Sequence, residues 1–263
     1  MEFNNKENEK KRLFEIEFWE NEYLEQIAYL ITTDKKKMLD GFQTKEDIRP
    51  DWEKFLGKET SDFAVGSERI FYWLFNQFGI PNSAPVGSDL FFETYNAYVH
   101  IDIKTVTLAN IGDFTKNIFV GDNQNSYIGD IEIKGKINRP YKGNLPTFYT
   151  KSNGVKKICL TYFLIVLYNE KNLDIQSIVL SCMPNGELQS VYGNKVLAAG
   201  KTPGKIRFNY AKNTRFELLD EKYRTKVILW KEDMDKKVRS RLKLLEDLYV
   251  MQEKEDNKRS SYE

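Results

Sequence analysis

The chain has 263 residues, 41% hydrophobic and 30% charged, and a formal net charge of +1 from 40 basic and 39 acidic residues. That length and apolar content suit one domain spanning residues 1–263, with helical elaborations at both ends. No run approaches the roughly 18 uncharged apolar residues of a membrane span, and the N-terminus lacks the basic-then-apolar form of a signal peptide, so a cytoplasmic protein without a membrane partner is expected.

From about Lys10 to Ile31, Leu13, Phe14, Ile16, Trp19, Tyr23, Leu24, Ile27, Leu30 and Ile31 mostly recur at helical spacing, which predicts an amphipathic helix. Thr32 to Lys58 is polar, with Asp40-Gly41 and Arg49-Pro50 as breakers, and reads as irregular. Ser67 then suits the N-cap of an aromatic, buried helix from Glu68 to Phe78, with Gly79 as its stop. A loop with Pro81, Pro85 and Gly87 leads into Ser88 to Lys104, two arms rich in β-branched and aromatic residues around a Tyr95-Asn96-Ala97 break, which predicts a hairpin. Asp130 to Lys134 alternates like a strand, Ile158 to Tyr168 reads as a buried central strand and Ile175 to Leu180 as its neighbour. Glycines 193, 200 and 204 with Pro203 mark a basic loop running into a strand-like Ile206 to Tyr210. Glu221 to Glu253 carries Val227, Trp230, Met234, Val238, Leu242, Leu245 and Leu248 at helical spacing, and Lys254 to Glu263 reads as a frayed tail. Cys159 and Cys182 have no metal-ligand spacing and are expected to be buried and reduced.

The hairpin holds the chemistry. Side chains alternate faces along a strand, so Asp102 and Lys104 share one face while Ile101 and Ile103 take the other. Asp89 opens the partner arm, close enough for the turn to bring the two acids together. Paired carboxylates suit Mg²⁺, which takes one or two of them and keeps its other sites for water and phosphate oxygens. Beside a lysine, the parts fit metal-assisted phosphodiester hydrolysis. His100 lies on the Asp102 face and could touch the site, but reads more naturally as a packed or surface strand residue. A rival set exists in Glu132-Ile133-Lys134 with Asp122 upstream; the first set is preferred because a direct hairpin links its acids and the helix bearing Glu68 precedes it.

The near-neutral total hides a segregation. Ile133 to Asn169 holds seven basic residues and no acid, and Leu188 to Phe216 holds six more and no acid. Phosphate binding follows local potential rather than net charge. Asn123, Gln124 and Asn125 carry amides suited to adenine. Lys136, Arg139 and Lys142 in a loop from Lys136 to Lys151, and Lys195, Lys201 and Lys205 in a loop from Tyr192 to Lys205, are candidate DNA contacts, each weighed against ordinary polar turn composition.

Ile101-Asp102-Ile103-Lys104-Thr105, with Asp89 before it and Val65-Gly66-Ser67-Glu68 upstream, resembles the PD-(D/E)XK nucleases, and among them type II restriction endonucleases of the EcoRV and SwaI kind. Tyr223-Arg224-Thr225 followed by Trp230 and a charged helix resembles the tail of that subgroup. The family's first acid usually follows a proline, and Ser88-Asp89 departs from this. The resemblance implies an α/β (α+β) fold with a central mixed β-sheet flanked by helices. It further implies catalytic Asp89, Asp102 and Lys104, with Glu68 as an additional acid at the metal. The expected activity is Mg²⁺-dependent, sequence-specific cleavage of double-stranded DNA at a short palindromic site by a homodimer. The alternatives are a structure-specific or modification-dependent repair nuclease of the same fold, or a non-catalytic DNA-binding protein whose acids are structural.

Overall fold

The computed structural model describes residues 2–56, 63–83, 86–133, 136–200, 202 and 205–260; side chains at 2–5, 44–50, 52–53, 56, 113, 136–138 and 259–260 lie outside that description. Helix α1 (Glu2–Thr33) buries Leu13, Ile16, Tyr23, Leu24, Ile27 and Ile31, the predicted stripe, and runs past it at both ends. Helix α2 (Lys35–Leu56) replaces the irregular segment expected there and passes through both Gly41 and Pro50. Met38 and Phe42 on it are buried, and Phe42 stacks 5.3 Å from Phe63. Such burial outweighs the roughly 1 kcal/mol that a helical glycine costs. Helix α3 (Phe63–Leu74) starts before Ser67, which is therefore not its cap: the buried Ser67 hydroxyl donates to the Phe63 carbonyl at 2.9 Å inside the helix.

The strands follow as β1 (Ile80–Pro81), β2 (Leu90–Glu93), β3 (Ala97–Thr107), β4 (Ile118–Val120), β5 (Ile128–Ile133), β6 (Lys136–Lys142), β7 (Phe148–Thr150), β8 (Lys156–Tyr168) and β9 (Ile175–Met183). After helix α4 (Gln189–Tyr192) come β10 (Leu197–Ala199), β11 (Ile206–Phe208) and β12 (Thr225–Trp230), then helices α5 (Lys236–Arg241) and α6 (Lys243–Ser260). Among the described residues the main sheet runs β1-β2-β3-β8-β9-β12, with β7 also paired to β8. The β3–β8 pair is parallel and its other pairs are antiparallel, so the sheet is mixed, as expected. Nearly all of β8 and all of β9 is buried, which is why their sequences are continuous apolar runs rather than alternating ones. Beside this sheet stand a three-stranded sheet, β10-β11-β4, and a two-stranded ribbon, β5-β6.

Three further expectations need correction. Much of the Lys136 to Lys151 loop is strand, β6 and β7. Residues 225–230 form a strand on β9 rather than the start of a helix, because Thr-Lys-Val-Ile-Leu-Trp is β-branched and aromatic and completes the sheet. The tail expected to fray is helical to Ser260.

Arg224, just before β12, is fully buried and ties the two ends of the chain together. Its Nη2 reaches Glu20 at 2.7 Å and Glu17 at 3.2 Å, both buried on α1, and the Tyr192 hydroxyl at 2.8 Å. Glu20 in turn accepts the Asn185 N–H at 2.6 Å, and Glu17 accepts the Leu218 N–H at 2.5 Å. Burial raises the Glu20 carboxyl to about 7 while the Arg224 charge pulls it back down. Removing one partner of a buried, hydrogen-bonded ion pair strands the other charges. Arg224→Ala should therefore lower the unfolding free energy by about 3–5 kcal/mol in urea titrations; a loss below about 1 kcal/mol would show that α1 is held by other means.

Candidate active site

The β2–β3 ladder pairs Leu90 with Ile101 and Phe91 with His100, so one further step along the register sets Asp89 opposite Asp102. The ladder stops there. Instead of a strand partner, the Ile103 N–H takes the Asp89 carboxylate, donating to Oδ2 at 2.6 Å. Asp89 thus closes the end of the hairpin, and a single backbone hydrogen bond fixes its carboxylate beside Asp102. On the other side of β3, Asp102 is paired in register with Phe163 of the buried strand β8.

Asp102 is 2% exposed. Burial pushes its carboxyl up to about 6, the nearby Asp89 raises it too, and Lys104 opposes both. The Lys104 ammonium forms an ion pair with Asp102 Oδ2, an oxygen that otherwise has no hydrogen-bond partner, and lies 5.8 Å from the centre of the Phe119 ring. The other oxygen, Oδ1, accepts from the Gln124 amide at 2.5 Å.

Glu68 is not brought to this pair. It lies in the second turn of α3, and among the described residues no group of three acids, histidines or cysteines is placed to hold one metal ion. His100 is 3% exposed, stacks on Phe91 at 4.6 Å and contacts the Leu160 carbonyl through Nδ1 at 3.2 Å; burial lowers it to about 4, so it is a neutral packed residue. In the rival set, Asp122 and Glu132 are both exposed, and Lys134 lies outside the described residues.

The expected DNA contacts divide. Asn123 is exposed, while Asn125 is 1% exposed with its amide bonded to the Gly121 carbonyl at 3.2 Å, the Tyr141 hydroxyl at 2.9 Å and the Tyr127 N–H at 3.0 Å, which takes it away from any base edge. Gln124 faces Asp102 rather than solvent. Lys142 and Lys205 are exposed, and Arg139 reaches the Lys205 carbonyl at 3.4 Å. Lys195 is paired with Glu217. The Lys136 side chain and all of Lys201 lie outside the described residues. Sequence reading missed the Gln124 and Phe119 contacts, because Phe119 lies on the three-residue strand β4 and Gln124 in the turn after it, and neither is long enough to give a periodic signal of its approach to β3.

The family model described as type II restriction enzyme MwoI, N-terminal domain, matches residues 12–172, and the one for the MwoI central domain matches residues 175–230. The chain belongs to the MwoI family of type II restriction enzymes. By that membership it is a site-specific endonuclease of a restriction-modification system. Its fold is similar to that of restriction endonuclease BglI bound to its DNA recognition sequence, with 14% identity, a TM-score of 0.62 and coverage of 86% of this chain and 96% of that one. It is also similar to tetrameric restriction endonuclease SfiI bound to cognate DNA, with 14% identity, a TM-score of 0.64 and coverage of 84% and 87%. No curated protein sequence matches. The expected restriction enzyme class therefore stands, while the narrower likeness to EcoRV and SwaI is not what these matches carry. No described helix is long and apolar enough to cross a membrane.

Because Asp102 titrates near 6 when folded and near 3.8 ordinarily, the folded state holds its proton more tightly, and stability is lost as pH rises through that interval. Asp102→Asn should thus make the metal-free protein more stable at pH 8, by on the order of 1–3 kcal/mol, with the gain fading toward pH 4. Urea titrations with chelator at both pH values check this; a variant less stable than the parent at pH 8 would make Asp102 a structural ion-pair acid.

Proposed function

We propose that the chain is a Mg²⁺-dependent endonuclease that hydrolyses both strands of duplex DNA at a short palindromic site, two copies acting about a two-fold axis. The observation that carries this reading is Asp89 facing Asp102 across the end of a hairpin, with the Lys104 ammonium against the second acid. The donor set fits a hard divalent cation: two adjacent carboxylates, one of them buried, with an oxygen, Oδ2 of Asp102, that is met by the Lys104 ammonium and by no other hydrogen-bond donor among the described residues. A pair rather than a triad suffices, since Mg²⁺ keeps most of its sites for water and phosphate oxygens. Glu68 is accordingly left out of the metal set.

Asp89 and Asp102 would hold the ion, which when bound polarises the phosphodiester and acidifies a water. Lys104, released from Asp102, would orient the attacking water and offset the charge that gathers on the phosphate. The Asp89–Ile103 hydrogen bond keeps the first carboxylate from turning away when the site is empty. Around this centre, Arg139, Lys142 and Lys205 would meet phosphates and position the duplex, and the exposed Asn123 is an amide suited to an adenine edge. That the BglI and SfiI structures hold DNA supports a duplex as the ligand.

Incubation with long duplex DNA and Mg²⁺ should give discrete fragments that vanish with chelator. Asp89→Ala and Asp102→Ala should each lower the cleavage rate by about 100-fold or more, while Glu132→Ala stays within about 3-fold of the parent. Cleavage that survives Asp102→Ala and is lost in Glu132→Ala would move the site to the rival set. Cutting confined to mismatches, junctions or methylated DNA would contradict the restriction reading, as would binding without cleavage.

A further inference from the structure

The turn between β4 and β5 reaches both halves of the site. Gln124 Oε1 accepts the Gly121 N–H at 2.7 Å, which orients the amide, and Nε2 is thereby aimed at Asp102 Oδ1, 2.5 Å away. One residue back, the Asn123 carbonyl oxygen lies 1.6 Å from where a Cβ on Gly87 would stand, and Gly87 takes a φ of +71°, so no side chain fits there. Gly87 comes two residues before Asp89. The turn therefore packs against the approach to the first acid and bonds directly to the second.

On its far side the same turn is bonded to the chain leaving β6. The Asn144 N–H donates to the Asp122 carbonyl at 2.8 Å, and the Leu145 N–H to the Asn125 carbonyl at 3.1 Å. Asn144 Nδ2 donates to Asn123 Oδ1 at 2.7 Å, and Asn125 Nδ2 to the Tyr141 hydroxyl at 2.9 Å. Lys142, exposed, ends that strand. A short path of direct hydrogen bonds thus runs from the β5–β6 ribbon to the Asp102 carboxylate, and Gln124 is its last link.

We propose that Gln124 is a positioning residue for Asp102: its amide holds Oδ1 and ties the carboxylate to the ribbon that carries Arg139 and Lys142. The proposal rests on the reading of Asp89, Asp102 and Lys104 as a metal-dependent hydrolytic site. A base-reading role does not suit Gln124, because both ends of its amide are engaged inside the protein. A role confined to shaping the turn needs only the Oε1 acceptor. Gln124→Glu separates the two roles: the near-isosteric glutamate still accepts from Gly121 but loses the donor to Asp102 and sets a carboxylate against it.

The full-length parent, Gln124→Glu, Gln124→Ala and Asp102→Asn would be compared in three measurements: Mn²⁺ affinity without DNA, affinity in chelator for a duplex carrying the site that the parent cuts, and the single-turnover cleavage rate at saturating protein with Mg²⁺. Gln124→Glu should bind Mn²⁺ at least about 3-fold more tightly, because a third carboxylate joins the pair. It should still cleave about 10-fold or more slowly, with duplex affinity within about 3-fold of the parent. Gln124→Ala should lose rate similarly with no gain in Mn²⁺ affinity; if Gln124→Glu does not fold, slow cleavage by a Gln124→Ala protein with the parent's unfolding midpoint supports the proposal, and a parent-like rate or a rate loss matched by a lowered midpoint overturns it. Parent-like rate and Mn²⁺ affinity in Gln124→Glu would overturn the proposal in favour of a turn-shaping role. Loss confined to duplex affinity, with an unchanged rate at saturation, would overturn it in favour of base reading. If the parent does not cleave and Asp102→Asn binds Mn²⁺ as well as the parent, the underlying reading fails instead.

Discussion

The geometry of the candidate site depends on strand β3 having two partners along one stretch and only one along the rest. Its full length runs parallel with β8, but β2 covers it only from Tyr98 to Ile101. Where β2 ends, β3 has a backbone N–H to satisfy at Ile103, and a buried donor left bare is costly. Asp89 supplies the acceptor, and in doing so stands across from Asp102. The two acids therefore meet for a reason of backbone hydrogen bonding, although their charges repel. The protein then opposes that repulsion with the Lys104 ammonium and the Gln124 amide, one on each oxygen of Asp102.

A site of this kind is unfavourable to the fold that carries it, since a carboxylate 2% exposed is held beside another. The compensating order lies elsewhere. The Arg224 network joins α1 to the segment entering β12, and the apolar strands β8 and β9 fill the middle of the sheet. The two family segments meet between residues 172 and 175, which is where β8 passes into β9, and those strands pair from Thr161 to Tyr168. The segment bearing the acids is thereby packed on the segment that follows it, within one sheet.

The hairpin, the β8–β9 pair and most of α1 were legible in the sequence because each is local and periodic: alternation around a short turn, continuous apolar runs, and a three-and-four repeat. Residues 225–230 misled because Val227, Trp230 and Met234 are spaced as on a helix, although the edge of β9 makes a strand of them. Helix α2 was hidden by Gly41 and Pro50, since the burial of Met38 and Phe42 is a tertiary fact. At the site, Asp102 and Lys104 share a face by strand alternation alone, whereas Gln124 reaches Asp102 across an irregular segment. The long acid-free stretches were real in sequence but are partly neutralised in space: Glu93 pairs with Lys151 and Lys157, Glu217 with Lys195, and Glu255 with Arg215. A run of like charge along a chain is not a surface potential until the fold has chosen its neighbours.

Asp89 and Asp102 are proposed to hold one divalent cation together at the phosphate to be cut. Anomalous scattering from Mn²⁺ in crystals of the protein with a duplex carrying its site tests this most directly. A peak is expected between the two carboxylates, within bonding distance of both and of a DNA phosphate oxygen. A peak at Asp122 and Glu132, or none near β3 in a complex that cleaves, would contradict it.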